Sequence, residues 1–508
     1  VAVGKGALES QNGGDANVFN IGIGYHAGNS MTSGTLNTII GGNAGDALTT
    51  GSSNIAIGYN ALSTEDTGQA NIAIGQGALQ NANYDGTGYN VAVGHEAGQT
   101  MTTGIYNTLV GGLSGDALTT GDSNVAIGYA AMGAADGSES RNVAIGYGTL
   151  ATMNSDASNY NTAVGYSAGF GITTGVQNTI IGGQAGDAIT TGSHNIAIGF
   201  RALSAEDTGG NSTAIGYYAL NKQNNDSNNY NIAIGHSSGQ EVTTGTNNVL
   251  LGGLVGSNIT TGHYNIAIGT QALYTEDGHG RNVAIGHNAL KVQDAGADAY
   301  NVAVGYQAGL SVTTGINNII IGGLAGDALT TGASNVAIGH NALSTEDENG
   351  RNIAIGYQAL FAQNAGFNAY NVAIGYQAGT VISTGGLNTI VGGLSGDALT
   401  TGERNVAIGY ATLSNEDTGS RSTAVGYFAL NAQNNDSTNY NTALGYGAGE
   451  DISSGVNNTI LGAEAGDALT TGSNNIVIGY NAAASAVDVS NTITMGDSNV
   501  NLLRIPGL

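Results

Sequence analysis

The sequence predicts an all-β fold, a parallel β-solenoid or β-roll of about 29 rungs, and three observations carry that prediction. A short phrase, first complete as NIAIGYNAL at 54–62, recurs from Gly4 to Gly496 in 29 copies counted by its glycine. With few exceptions the intervals run 17, 17, 17 and 19 residues and sum to a larger period of 70. Within the phrase, large aliphatics flank an alanine, the period-2 spacing of a strand. Self-similarity at a fixed period marks stacked units that each pack only on their neighbours. Such continuity overrides the three or so globular domains that 508 residues would otherwise suggest.

Four rung types make up the larger unit. They read like NVAVGHEAGQTMTTGIY (90–106), NTLVGGLSGDALTTGDS (107–123), NVAIGYAAMGAADGSESR (124–141) and NVAIGYGTLATMNSDASNY (142–160). Seven units follow a partial opening rung, so residues 1–480 read as one continuous shaft. Val1 falls inside a repeat whose leading asparagine is missing, which suggests a repeat begun further upstream. At 481–508 the loop pattern is lost and the only proline, Pro506, appears; this reads as the last rung and a transition to a further C-terminal segment.

Inside the phrase, the residue before each glycine is large and aliphatic (Val3, Ile23, Ile40, Ile57, ending at Met495). Two positions earlier stands mostly Val, Ile or Thr. These two share a strand face, which is expected to be the chain's own core. The residue between them is usually Ala, but Ile39, Leu109, Ile180, Leu250, Ile320, Ile390 and Ile460 occupy it in the second rung type. A strand apolar on both faces must be covered on both. The middle column is therefore expected to form an inter-chain seam, the alternative being a wider solenoid with a second internal layer.

The leading asparagine is present in 25 of the 28 rungs that could show it, Ser212, Ser422 and Thr492 being the exceptions. Stacked at about 4.8 Å, Asn54, Asn71, Asn124, Asn195, Asn265, Asn335 and Asn405 are expected to form a structural ladder that also satisfies turn backbone. The glycine is expected where a Cβ would block a bend or close approach. Beside it runs a column of Tyr, Phe and His, including Tyr25, His95, Tyr166, His236, His287, His340 and Tyr410. A second column recurs once per 70 residues: Tyr89, Tyr160, Tyr230, Tyr300, Tyr370 and Tyr440. These are either glycan-facing rings or packing for the longer loop.

Acidic residues are columnar too. Asp46, Asp116, Asp187, Asp327, Asp397 and Asp467 share one turn, and Glu65–Asp66, Glu206–Asp207, Glu276–Asp277 and Glu346–Asp347 line the third rung type's loop. Calcium ligation is the alternative to solvated acidic faces, but a calcium β-roll needs a nonapeptide period that this repeat lacks, so no metal or cofactor is expected. Arg141, Arg281, Arg351 and Arg421, just after the acidic loop, suggest local ion pairs. A net charge of −26, from 10 Lys and Arg against 36 Asp and Glu, argues against nucleic-acid or anionic-membrane partners. No apolar run approaches the roughly 20 residues of a spanning helix. There is no cysteine and no HExxH string, and the GxG fragments belong to the repeat, so no catalytic residues are expected. Threonine-rich TTG turns occur in only two rung types, too sparse for an ice-binding array.

The phrase N-(V/I)-A-(V/I)-G-Y-x-A resembles the head repeats of trimeric autotransporter adhesins, whose similar units form left-handed β-rolls with three chains side by side. It is still more similar to repeat shafts of bacteriophage tail fibres that precede an intramolecular chaperone domain, where a segment like NTITMGDSNVNLLRIPGL (491–508) leads out of the shaft. The rungs of 17 to 19 residues depart from the shorter adhesin repeat. The resemblance implies a homotrimeric fibre in a virion, with two further copies of the chain and a host-surface glycan or protein receptor as partners. At about 4.8 Å per rung, 29 rungs would span about 140 Å. A bacterial surface adhesin, and a β-solenoid carbohydrate-active enzyme using paired carboxylates, remain the alternatives.

Overall fold

A computed structural model describes residues 1–12, 17–500, 502 and 504. Pro506 and part of the exit segment 491–508 lie outside the described residues. Among those described there is no helix; 29 strands, all but the first three residues long, build a parallel β-solenoid of about 29 turns.

The chain divides into two compact units, Val1–Thr261 and Gly262–Leu508. The first holds the strands from Ala2–Val3 to Val249–Leu251, the second those from Ile266–Ile268 to Ile493–Met495. Within each, successive strands pair in parallel with equivalent residues opposite one another, as Ile55↔Ile72, Ala56↔Ala73 and Ile57↔Ile74 in the first and Ile353↔Val372, Ala354↔Ala373 and Ile355↔Ile374 in the second. This register is what turns a repeated phrase into columns of like side chains.

The strands are short because both ends are fixed. On one side the asparagine side chain bonds to neighbouring backbone. On the other, the glycine turns the chain: Gly58 has φ +137°, and a Cβ there would lie 2.3 Å from the Gly75 carbonyl oxygen. Only glycine fits so close a backbone contact. Four residues on, Leu62 (φ 52°) and Leu79 (φ 48°) adopt the left-handed region, which costs about 1–2 kcal/mol per residue. Both are fully enclosed, and burial of such a side chain contributes about 1.5–3 kcal/mol in return.

The two faces of each strand are the reverse of the expected assignment. The middle residue points into the chain's own core: Ala56, Ala73 and Ala126 are fully enclosed, and so are Ile39, Ile180, Ile320 and Ile390, with Leu109, Leu250 and Ile460 at most 1 % exposed. None of these seven lies at a seam. Their bulk has an internal reason. In most rungs of the third and fourth types a Leu stands six residues after the strand-centre Ala, as in Ala56/Leu62 and Ala73/Leu79, whereas first-type rungs carry glycine there, as in Ala92/Gly98, and Leu79 and Leu109 of the flanking rungs take up the space. In the seven rungs with Ile or Leu at the centre, that later position is glycine: Gly45, Gly115, Gly186, Gly256, Gly326, Gly396 and Gly466. A Cβ on Gly45 would lie 3.1 Å from Ile39 Cδ1, and one on Gly256 would lie 2.8 Å from Leu250 Cδ2. The large centre residue fills the volume that leucine fills elsewhere, which close packing requires. The flanking aliphatics, expected inside, face outward and are half-buried to exposed.

Candidate functional site

The outward face is the feature that the fold leaves unpartnered. In each unit, two columns from the outer strand positions, the first of Ile, Val and Thr and the second mostly Ile and Val, run beside the ring column. Ile232, Ile234, Ile319 and Ile321 are each 37–41 % exposed. In the first unit Tyr129, Tyr147 and Tyr166 stack with centroids 5.5 and 5.4 Å apart, and Phe200, Tyr217 and His236 follow at 5.7 and 5.3 Å. In the second, His340, Tyr357 and Tyr376 stack at 5.7 and 5.4 Å, and Tyr410, Tyr427 and Tyr446 at 5.5 and 5.3 Å. Glycine interrupts the column between stacks, at Gly112 and Gly183 in the first unit and Gly323 and Gly393 in the second. The result is a ribbed apolar strip with a notch in every fourth rung. Contiguous apolar surface of this kind marks an interaction site.

Behind the strip, the asparagines form a buried ladder. Asn54 donates from its backbone N–H to Asn37 Oδ1 (2.9 Å) and from Nδ2 to the Gly68 carbonyl (2.8 Å), and its own Oδ1 accepts from the Asn71 N–H at 3.0 Å. Asn124, Asn195, Asn335 and Asn405 repeat the arrangement, each N–H donating to the Oδ1 of the preceding rung at 2.9 Å. Asn265 Oδ1 accepts from the Asn282 N–H at 3.1 Å. Ser212 breaks the amide column, and there Gln223 Nε2 donates to its hydroxyl (2.8 Å) while Gln223 Oε1 accepts from Asn231 Nδ2 (2.8 Å), so that one glutamine bridges the gap.

The once-per-unit tyrosines are exposed, Tyr89, Tyr160, Tyr230, Tyr300, Tyr370 and Tyr440 all lying between 47 and 58 %. Most are not bare rings. The guanidinium of Arg141 lies 5.4 Å from the Tyr160 centroid, Arg281 5.5 Å from Tyr300, and Arg351 and Arg421 5.4 Å from Tyr370 and Tyr440. Arg141, Arg351 and Arg421 also donate to the hydroxyl of the same tyrosine. The expected arginine ion pairs are thus replaced in three positions by stacking on tyrosine, and only Arg281 adds an ion pair, with Asp298. Tyr89 instead stacks on Tyr106, centroids 5.8 Å apart. These Arg–Tyr pairs form cationic, aromatic ledges on an otherwise acidic chain.

The third rung type's glutamates are not solvated as expected. Glu65, Glu206, Glu276, Glu346 and Glu416 are fully enclosed, while the aspartates after them face outward. Each glutamate accepts a backbone N–H three residues on, as from Gly209 to Glu206 (2.8 Å) and Gly419 to Glu416 (2.7 Å). Around Glu206 and Glu416 two amides complete the shell: Gln223 and Asn229 donate to Glu206 Oε2 at 2.8 Å, and Gln433 and Asn439 to Glu416 Oε2 at 2.8 and 2.9 Å. Around Glu276 and Glu346 neither amide donates, since Ala299 and Ala369 replace the asparagine, Gln293 Nε2 is itself unpartnered and Gln363 Nε2 donates to the Ser383 carbonyl (3.2 Å), and Glu276 Oε2 and Glu346 Oε2 have no hydrogen-bond partner. Burial raises the pKa of all five, and that of Glu276 to about 8. Among the turn aspartates, burial likewise raises Asp46, Asp116 and Asp187.

Two strings of the form GxSxG occur, GYSAG at 165–169 and GHSSG at 235–239. Each is a strand-to-turn bend of the first rung type with no helix after it, so neither forms the strand–helix elbow that presents a nucleophilic serine. No helix among the described residues is long and apolar enough to cross a membrane. Comparison with protein-family models and with curated proteins gives no match for this chain.

Proposed function

We propose that the chain is the shaft of a virion tail fibre: a structural, non-enzymatic adhesion protein that assembles as a homotrimer and helps to position or engage a host-surface receptor. The observation that carries this reading is the ribbed apolar strip. A parallel sheet is ordinarily covered on both faces, and here one face has no cover within the chain. The strip's aliphatic columns, stacks of three rings and glycine notches repeat with the rungs, so a partner that fits it along its length must share that spacing. Another copy of the same chain does. Strong net negative charge elsewhere would keep such assemblies from associating further. The Arg–Tyr ledges, whose tyrosines stand two residues before an outer strand position, as Tyr370 does before Val372, are the surfaces suited to a receptor glycan, since aromatic rings stack on sugars and guanidinium groups bind their anionic substituents.

The absence of cysteine permits a direct test. A nitroxide on Ile321→Cys should show strong inter-chain dipolar coupling. Absence of inter-chain coupling at position 321 would overturn the assignment of this face as the seam.

A further inference from the structure

One place in the second unit departs from the repeat in a concerted way. His279 stands where the other third-type loops have Gly68, Gly209, Asn349 and Gly419. Asp294, in the next rung, stands where Asn83, Asn154, Asn224, Asn364 and Asn434 stand. Both changes converge on one spot: Glu276, Asp277, His279 and Asp294 each offer a ligand atom, and these four atoms lie within 4.8 Å of one another. We propose that these four residues bind a divalent first-row transition ion of the manganese-to-zinc series, which staples two successive rungs of the solenoid.

Two further observations point to a ligand. Glu276 is fully enclosed and its Oε2 has no hydrogen-bond partner. His279 Nδ1, 3.8 Å from Glu276 Oε1, is enclosed and likewise makes no hydrogen bond. A buried carboxylate oxygen without a donor costs about 1–3 kcal/mol, more when charged, and a cation removes that cost. The Glu346 loop is the internal comparison. Its Oε2 is also orphaned, with Ala369 in place of an amide as Ala299 is and with Gln363 donating to the Ser383 carbonyl, but Asn349 and Asn364 replace the histidine and the aspartate. The two loops thus share an orphaned carboxylate oxygen and a following aspartate, and the Glu276 loop alone of the two adds an imidazole and a carboxylate from the next rung. The nearby cation Arg281 is engaged with Asp298.

Ligand type selects the ion. Calcium and magnesium prefer all-oxygen shells, whereas an imidazole with carboxylates suits zinc and its neighbours. Bonds of about 2.0–2.2 Å to zinc set ligand–ligand separations of roughly 3–4 Å, which a small contraction of these loops would reach. The ligands come from two successive rungs, Glu276, Asp277 and His279 from one and Asp294 from the next. The site needs no second copy of the chain, so it stands or falls independently of the assembly proposed above.

The test uses the full chain stripped of metal with a chelator, then titrated with Zn²⁺ against a chromophoric competitor, with Co²⁺ absorbance as a second readout. One ion per chain is expected. His279→Gly and Asp294→Asn each restore a residue that other repeats carry at that position, so both should fold, which thermal melting without metal verifies. Each is expected to weaken Zn²⁺ binding roughly tenfold or more, and the double variant to abolish the single-ion stoichiometry. No binding of Zn²⁺, Co²⁺ or Mn²⁺ by the unmodified chain would overturn the proposal. So would equal binding by the double variant, or binding of Ca²⁺ alone.

Discussion

Ile180 and Gly186 divide a single core volume: a Cβ on Gly186 would lie 2.9 Å from Ile180 Cδ1 and 2.8 Å from Ile189 Cδ1. Elsewhere the same volume is divided as Ala56 and Leu62, with Leu62 at φ 52° and Gly186 at φ +50°. Ile180→Ala alone should cost about 2–5 kcal/mol, and Gly186→Leu alone should overpack the rung at a cost of about 1–3 kcal/mol. Combined, they recreate the Ala/Leu pair beside Ile189, whose side chain must still shift, and should recover part of the loss. A double-mutant cycle on thermal or denaturant unfolding measures this coupling; additive losses would show that the two residues do not share the space.

The glycine column rests on a closer contact. Gly58→Ala sets a Cβ 2.3 Å from the Gly75 carbonyl oxygen at a φ that alanine avoids. The expected cost is about 2–4 kcal/mol. Amide exchange should accelerate in the paired strands Ile55–Ile57 and Ile72–Ile74 and leave distant rungs of the first unit unchanged, because repeats couple mainly to their neighbours.

Glu346 gives the chain a pH dependence of definite sign. Its folded pKa lies above the ordinary 4.5, because burial penalises the carboxylate. The folded state therefore holds the proton more tightly than the unfolded state, and its stability is fully present below pH 4.5 and declines as pH rises toward the folded pKa. Glu346→Gln removes that decline. At pH 7 the variant should be more stable than the parent by about 1–2 kcal/mol, and at pH 4 the two should melt alike. A variant less stable at pH 7 would show that the charged form is satisfied in the folded chain.

The solenoid itself was legible in the sequence, because the period and the strand phrase are direct consequences of stacking. So was the asparagine column, whose identity is imposed rung by rung by the backbone groups it satisfies. The direction of each strand was not. Period-2 alternation places residues on two faces without saying which is inside, and the larger side chains suggested the wrong one. A partial signal was available: no rung with Ile39, Leu109, Ile180 or an equivalent at its centre carries a large residue six positions later, where third- and fourth-type rungs carry Leu62, Leu79 and their equivalents. The buried glutamates were missed for a related reason. Glu65 and Glu206 stand in polar loops, and their enclosure depends on donors from the following rung, Tyr84 N–H for one and Gln223 with Asn229 for the other. Likewise, Arg351 was read against its acidic neighbours in sequence, whereas its partner, Tyr370, is a rung away.

The Arg–Tyr ledges yield a prediction separate from assembly. Arg351→Ala with Tyr370→Ala, and the same change at Arg421 and Tyr440, should weaken retention on host-surface glycans several-fold without changing the mass of the native particle. Binding measured on a glycan array checks this; unchanged retention in the fourfold variant would remove the ledges from receptor contact.

The central claim is that the outward aliphatic and aromatic strip is covered by copies of the same chain. Its most direct test is the native mass of the purified chain by light scattering. The account predicts a particle about three times the 50.4 kDa of one chain, and a monodisperse particle of 50.4 kDa would contradict it.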